Sequence, residues 1–280
     1  MNIPFIKIQN VGNDYIYIDK TSLYRRKIQK SSLAKKMCDR HEGVGSDGIF
    51  IVEKISPKSA FVEMFNSDGS SMEFCGNGIR GASLYLRDRY RSGSRSFAIM
   101  TRPNEYDVKI IRSSKAEQVA RLRIGNPSFD SGVIGYSKRS KNCLGVRVKG
   151  DRKSWTLYCV AMPNPQAVIF VDNFDFEWQK EGRIIENCSF FKNRINVMFT
   201  RVDSSRKLTI KPWERGAGAT LSCGSGAAAA VVISGLLGYT KGNVSVNMPG
   251  GVLKTEWTIR ENAVYQEGAS KIVCSGLYKF

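Results

Sequence analysis

The stretch FNSDGSSMEFCGNGIRGASLYL, residues 65–86, decides how the rest of the chain is read. Its opening residues, NSDGSS, are turn formers, and beyond them Ile79, Ala82, Leu84, Tyr85 and Leu86 include the i, i+3 and i+4 relations of a helix. Between the two stands Cys75, followed by Gly76-Asn77-Gly78. A helix N-terminus presents unpaired N–H groups and about half a unit of positive charge, so a cysteine there can be held as thiolate and an anion can dock on the same groups. A single cysteine is more often core filler than reagent, so the motif needs company before it carries chemistry.

That company comes 148 positions later (223 − 75 = 148), where Cys223-Gly224-Ser225-Gly226 opens an Ala-rich apolar run. Each motif follows a polar turn and starts a helical pattern, so the chain reads as two similar halves. In the first half, FIKIQ, DYIYID, GIFIVEKI and AFVEMFN read as strands separated by GND, GVGSDG and NSDGS. SSLAKKMCDR reads as a helix with Ser31 or Ser32 as its N-cap. In the second half, TLYCVAM, AVIFVD, RINVMFTRV and KLTIKPWER read as strands and EWQKEGRIIEN as a polar helix. A thiolate from one half and a thiol from the other can remove a proton from a carbon and deliver one to its opposite face, which is the chemistry of racemisation.

Composition bounds the alternatives. The 280 residues, 42% hydrophobic and 24% charged, suffice for one large core or two medium ones. No apolar run approaches the roughly 20 residues a bilayer span needs, and the start MNIPFIKIQNVGNDYIYID is too polar for a signal peptide, so a cytoplasmic protein without a membrane partner is expected. Seven cysteines, an odd number without CxxC spacing, argue against a disulfide framework or a metal site. Cys38, Cys143, Cys159, Cys188 and Cys274 lack flanking glycines and read as structural. The net charge of +18 attracts polyanions, but the basic runs fit no helix-turn-helix, zinc-finger or RNP pattern, so nucleic acid is not the expected partner.

Taken together, the residues resemble the diaminopimelate epimerases, cofactor-independent amino-acid racemases. The resemblance is carried by GNDYIYID (12–19), DRHEGVGSDGIFIVE (39–53), FNSDGSSMEFCGNGIRG (65–81), PNPQAVIFVD (163–172), INVMF (195–199), ERGAGATLSCGSGAAAA (214–230) and MPGG (248–251), in the family's order. It implies an α/β (α+β) fold of two pseudo-symmetric domains, each a sheet wrapped around a central helix, with the active site in the cleft between them. The expected boundaries are 1–120, completed by the last strand at about 268–280, and 121–267. Carried over position by position, Cys75 and Cys223 are the acid/base pair, with Glu214 as a third catalytic residue. Asn13, Asn66, Asn164, Asn196 and Arg215 bind the substrate's polar groups, and Gly76-Asn77 with Gly224-Ser225 receive its α-carboxylate at two helix N-termini. The implied partner is a small-molecule amino acid; a homodimer is left open, and no pyridoxal phosphate, other cofactor or metal is implied.

The chain departs from the family at MPNPQAVIF, which usually reads Gly-Asn-Pro-His, the His helping one thiol to exchange its proton. Here Pro163 and Gln166 stand at those places, and the single histidine, His41, belongs to the RHEGVGSDG loop, which it is expected to hold together. A glutamine can orient by hydrogen bonding but cannot take a proton at neutral pH. The expected function is therefore LL/meso-diaminopimelate epimerisation. Racemisation of another amino acid such as histidine, or a basic binding protein on an epimerase scaffold, are the alternatives.

Overall fold

Alternation in the first strand, β1 (Asn2–Asn10), buries Ile6, Ile8 and Asn10 and leaves the residues between them half-exposed, so the strand has one inner face. The computed structural model describes residues 2–24, 28–72, 74–102, 104–137 and 143–280; the basic residues Arg25, Arg26, Lys27, Lys138, Arg139 and Lys141 of the charged runs lie outside them. The chain divides into two compact units, Met1–Arg123 with Glu267–Phe280, and Ile124–Gln266.

The first unit continues with β2 (Asn13–Asp19), α1 (Lys30–Cys38), β3 (Gly48–Ser56), β4 (Ser59–Asn66), α2 (Gly76–Tyr90), β5 (Ser96–Met100), β6 (Glu105–Ser113) and β7 (Glu117–Gly125). The second holds α3 (Ser131–Ile134), β8 (Leu144–Lys149), β9 (Ser154–Met162), β10 (Asn164–Phe170), α4 (Trp178–Glu186), β11 (Asn196–Ser204), β12 (Lys207–Glu214), β13 (Gly218–Ala219), α5 (Gly224–Leu236), β14 (Asn243–Met248) and β15 (Gly251–Thr258). The last strand, β16 (Ala263–Lys279), starts in the second unit and ends in the first.

In the first unit the strand order is β1-β2-β3-β4-β5-β6-β7-β16, and β16 pairs again with β1 from Asn2↔Lys279 to Gln9↔Lys271, which closes the sheet on itself. In the second the order is β16-β15-β14-β12-β11-β10-β9-β8. The two units repeat one plan. β2 runs parallel to β3 as β10 does to β11, and β4 runs parallel to β5 as β12 does to β14. The helix at the centre of each plan is buried over nearly its whole length, Gly76–Leu86 in α2 and Ser225–Ser234 in α5. A helix buried on every side has to be surrounded, and each sheet supplies the surround.

The helix α1 starts one residue before Ser31, with Gln29 as N-cap and no capping side chain, so neither serine caps it. Its start is set by tertiary contacts: Leu33, Ala34, Met37 and Cys38 are buried in the cluster that includes Ile49 and Ile51, and Lys30 pairs with Glu63 at 2.6 Å. Cys274 also differs from expectation, being exposed on the stretch of β16 opposite Lys7.

The second glycine of each cysteine motif is required by packing. A Cβ on Gly78 would lie 1.9 Å from Phe50 Cζ, and one on Gly226 would lie 2.3 Å from Met198 Sδ. Phe50 is fully buried between Tyr15 and Tyr17, with ring centroids at 4.9 and 5.0 Å, and has nowhere to go. Gly78→Ala is therefore expected to destabilise the protein by about 1–3 kcal/mol in urea unfolding despite the better helix propensity of alanine. Gly93→Ala, where a Cβ meets nothing within 4 Å, serves as the control and should stay within about 0.5 kcal/mol of the parent.

Candidate active site

Both central helices begin on a cysteine. Cys75 is the N-cap of α2, with extended φ −150° and ψ 97°, and its Sγ accepts the N–H of Gly78 at 3.3 Å. Cys223 is the N-cap of α5, with φ −132° and ψ 104°, and its Sγ accepts the N–H of Gly226 at 3.3 Å. Ser, Thr, Asp and Asn are the residues that cap helices well. Cysteine is not among them, and a helix start is a place where a thiolate can be held.

The surroundings of the two sulfurs differ. In the first unit, Cys75 Sγ donates to Tyr15 Oη at 3.1 Å from the start of β2. Burial first, and then the charge and hydrogen bond of Cys75, push the Tyr15 hydroxyl well above its ordinary range, so it stays a phenol able to donate back to the sulfur once that ionises. Behind it runs a directional chain of amides. Arg80 Nη2 donates to Asn77 Oδ1, Asn77 Nδ2 donates to Asn13 Oδ1 at 2.7 Å, and Asn13 Nδ2 donates to Asp47 Oδ2 at 3.2 Å. Asp47 is bridged to Asp14 by the Arg40 guanidinium. A guanidinium can only donate and a carboxylate can only accept, so the orientations of both amides are fixed.

In the second unit, Cys223 Sγ donates to Glu214 Oε2 at 3.0 Å and lies 3.5 Å from Ser225 Oγ. Burial and then the Glu214 carboxylate push this thiol well above its ordinary range, so it stands as a proton donor. Glu214 Oε1 accepts from Thr220 Oγ1 at 2.6 Å, which holds the carboxylate toward the sulfur. Gln166 is fully buried, and its Nε2 donates to Asn164 Oδ1 at 2.7 Å and Ser225 Oγ at 3.1 Å. Among the described residues its Oε1 has no hydrogen-bond partner.

The structure thus groups Cys75 with Gly76, Asn77 and Asn13, and Cys223 with Glu214, Ser225, Gly224 and Asn164. Asn196 accepts the N–H of Arg215 at 2.8 Å and donates to the Pro165 carbonyl at 3.2 Å, so it ties the residue after Glu214 to β10. Arg215 Nη1 donates to the Asn193 carbonyl at 2.8 Å. Asn66 sits nine residues before Cys75 as Glu214 sits nine before Cys223, and its Nδ2 donates to Ser70 Oγ at 2.9 Å. Among the described residues the His41 ring makes no hydrogen bond that would hold the loop, against the expectation. The loop is held by Asp39 Oδ1, which accepts the backbone N–H groups of His41 and Glu42, and the His41 residue is exposed.

Three participants are absent from the sequence reading of the site. Tyr15 sits two residues into its strand as Gln166 sits two residues into its own, but an aromatic in an alternating strand reads as core. Asp47 reads as a loop former, and Arg80 carries no signal beyond lying on the helix after Cys75. Among the described residues no group of His, Cys, Asp and Glu could hold a metal ion, and no helix is long and apolar enough to cross a membrane.

The diaminopimelate epimerase family profile matches residues 5–129 and 158–273. The chain is 33% identical over 273 residues to a diaminopimelate epimerase of Caldanaerobacter subterraneus subsp. tengcongensis, covering 97% of this chain and 98% of that one. It is 36% identical over 284 residues to a diaminopimelate epimerase of Microcystis aeruginosa, covering 99% of each. The fold matches the crystal structure of a PhzF-family phenazine biosynthesis protein of Bacillus anthracis with a TM-score of 0.72 at 15% identity over the whole of both chains. The chain belongs to the diaminopimelate epimerase family.

Proposed function

We propose that the chain is an isomerase that interconverts LL- and meso-diaminopimelate by two proton transfers, with Cys75 and Cys223 as the two bases acting on one α-carbon. One observation carries the reading: two equivalent helix starts each hold a cysteine cap, one beside a phenol that can donate to a thiolate and the other beside a carboxylate that accepts from a thiol. From the LL to the meso isomer, the Cys75 thiolate takes the α-proton and the Cys223 thiol then delivers its proton to the opposite face. The carbanion that forms between these steps is stabilised by helix-start N–H groups at Gly76-Asn77 and Gly224-Ser225 receiving the adjacent carboxylate. Asn13, held between Asn77 and Asp47, and Asn164, held by Gln166, present rigid neutral amides to the substrate's polar groups. Asn66 and Arg215 complete the polar lining, and Asn196 holds the chain at Arg215. A cytoplasmic location accords with a product used in lysine and peptidoglycan synthesis.

The test is proton NMR of LL-diaminopimelate in deuterated water with a panel of other amino acids, histidine included. The expected result is loss of the diaminopimelate α-proton signal with growth of the meso isomer. Exchange confined to another amino acid would move the assignment to that substrate, and the absence of exchange in every member would leave a basic binding protein as the account.

A further inference from the structure

Arg80 lies on α2, five residues after Cys75, and none of its surface is exposed. Its Nη2 is engaged by Asn77, whereas its Nε and Nη1 have no hydrogen-bond partner among the described residues. Burial lowers the guanidinium to about 10, and attraction to an ionised Cys75 works in the opposite direction. A charge in a protein interior that is neither paired nor fully hydrogen-bonded is costly. The second unit shows that the fold does not require it, because the equivalent position (80 + 148 = 228) on α5 is Ala228, also fully buried. The cation is therefore specific to the Cys75 half.

We propose that Arg80 is a positioning residue for the Cys75 base, whose fixed charge holds the sulfur as thiolate and whose hydrogen bond locks the Asn77 amide toward Asn13. The inference rests on the reading of Cys75 as a base. The other titratable or charged groups acting around this sulfur are Tyr15 and Tyr17 on β2 and Asp47 in the loop before β3, while Glu73 lies outside the described residues. The two tyrosines stay neutral because burial raises both hydroxyls well above their ordinary range, and Asp47 is already bridged by Arg40. Among the described residues, Arg80 is thus the buried positive charge on the helix that Cys75 caps. The Cys223 half has the opposite arrangement, a carboxylate beside the sulfur and an alanine on the helix, which keeps the second thiol protonated when the first is ionised.

The experiment is iodoacetamide alkylation of Cys75 across pH 5 to 10, read by mass spectrometry of its peptide, for the wild type, Arg80→Met and Arg80→Lys. Melting curves and α-proton exchange of LL-diaminopimelate are recorded in parallel. Arg80→Met is expected to melt at or above the wild-type temperature and to raise the Cys75 midpoint by about one to two pH units, slowing alkylation at neutral pH about tenfold or more. Its kcat should fall as the midpoint rises, KM should rise as well because Asn77 and Asn13 lose the bond that orients them, and Arg80→Lys should bring both midpoint and kcat back toward wild type. An unchanged Cys75 midpoint in folded Arg80→Met would overturn the proposal, as would an Arg80→Met that fails to fold where Arg80→Lys folds. A raised midpoint in a protein whose wild type exchanges no α-proton would uphold the Arg80–Cys75 link and sink the epimerase reading instead.

Discussion

Cys223→Ser and Cys75→Ser are each expected to lower kcat for epimerisation by about 10³-fold or more while leaving the melting temperature unchanged or slightly raised. The two halves of that expectation have separate causes. Each sulfur is an N-cap that accepts one helix N–H at 3.3 Å, and a serine hydroxyl performs that task better than a thiol. The same hydroxyl is far too weak an acid to be held ionised by a helix start, a phenol or a buried guanidinium, and it gives up its proton too slowly to replace the thiol. The substitution therefore separates the cap from the chemistry within one atom. Turnover by NMR and thermal unfolding by circular dichroism measure both. A serine variant that retains more than about a tenth of wild-type kcat would remove that cysteine from the proton-transfer pair.

Glu214→Gln is expected to lower kcat/KM by about 10²-fold in both directions, equally because the equilibrium constant is fixed. The Cys223 thiol is raised by burial and by this carboxylate, so in the direction where it must act as a base its proton has to be handed on. Glu214 Oε2 accepts its hydrogen bond at 3.0 Å and can receive that proton, whereas a glutamine cannot. The pH dependence carries an independent sign. With the like charge gone, the Cys223 midpoint should move down toward the ordinary thiol range, so alkylation of Cys223 should become easier as turnover becomes slower. A variant in which the midpoint stays in place, or in which activity follows thiol acidity upward, would contradict the role given to Glu214.

What could be read from the sequence was what repeats. The paired Cys-Gly motifs located both helix starts, and alternation around Ile6, Ile8, Val62 and Met64 located strands, because those residues report local periodicity directly. The family resemblance named Cys75, Asn77, Asn13, Cys223, Glu214 and Ser225 as site residues, but which of them stand together at each sulfur came from the fold. The misses have a common physical cause, since each is decided by contacts distant in sequence. Ser31 and Ser32 have the composition of a cap, but the start of α1 follows the Lys30–Glu63 pair and the burial of Leu33 and Met37. Tyr15 reaches a sulfur 60 positions away, and Asp47 orients an asparagine 34 positions before it. Arg80 could not be singled out because its significance lies in what it lacks among the described residues, a partner for two of its nitrogens, and that is visible only once the surrounding sheet closes around it. Gln166 was visible as a departure from the family pattern, but its role as the donor that holds Asn164 and Ser225 needed the fold.

Two different groups acting on opposite faces of one α-carbon leave an isotopic record, which can be followed in each isomer during the first few per cent of reaction in deuterated water. Starting from LL-diaminopimelate, one sulfur removes protium and the other, already exchanged with solvent, delivers deuterium. Deuterium is therefore expected at the α-carbon of the newly formed meso isomer while recovered LL substrate still carries protium, with the mirror result when meso is the starting material. Deuterium entering recovered substrate and product at the same rate from the outset would mean that a single base serves both faces, and would contradict the account.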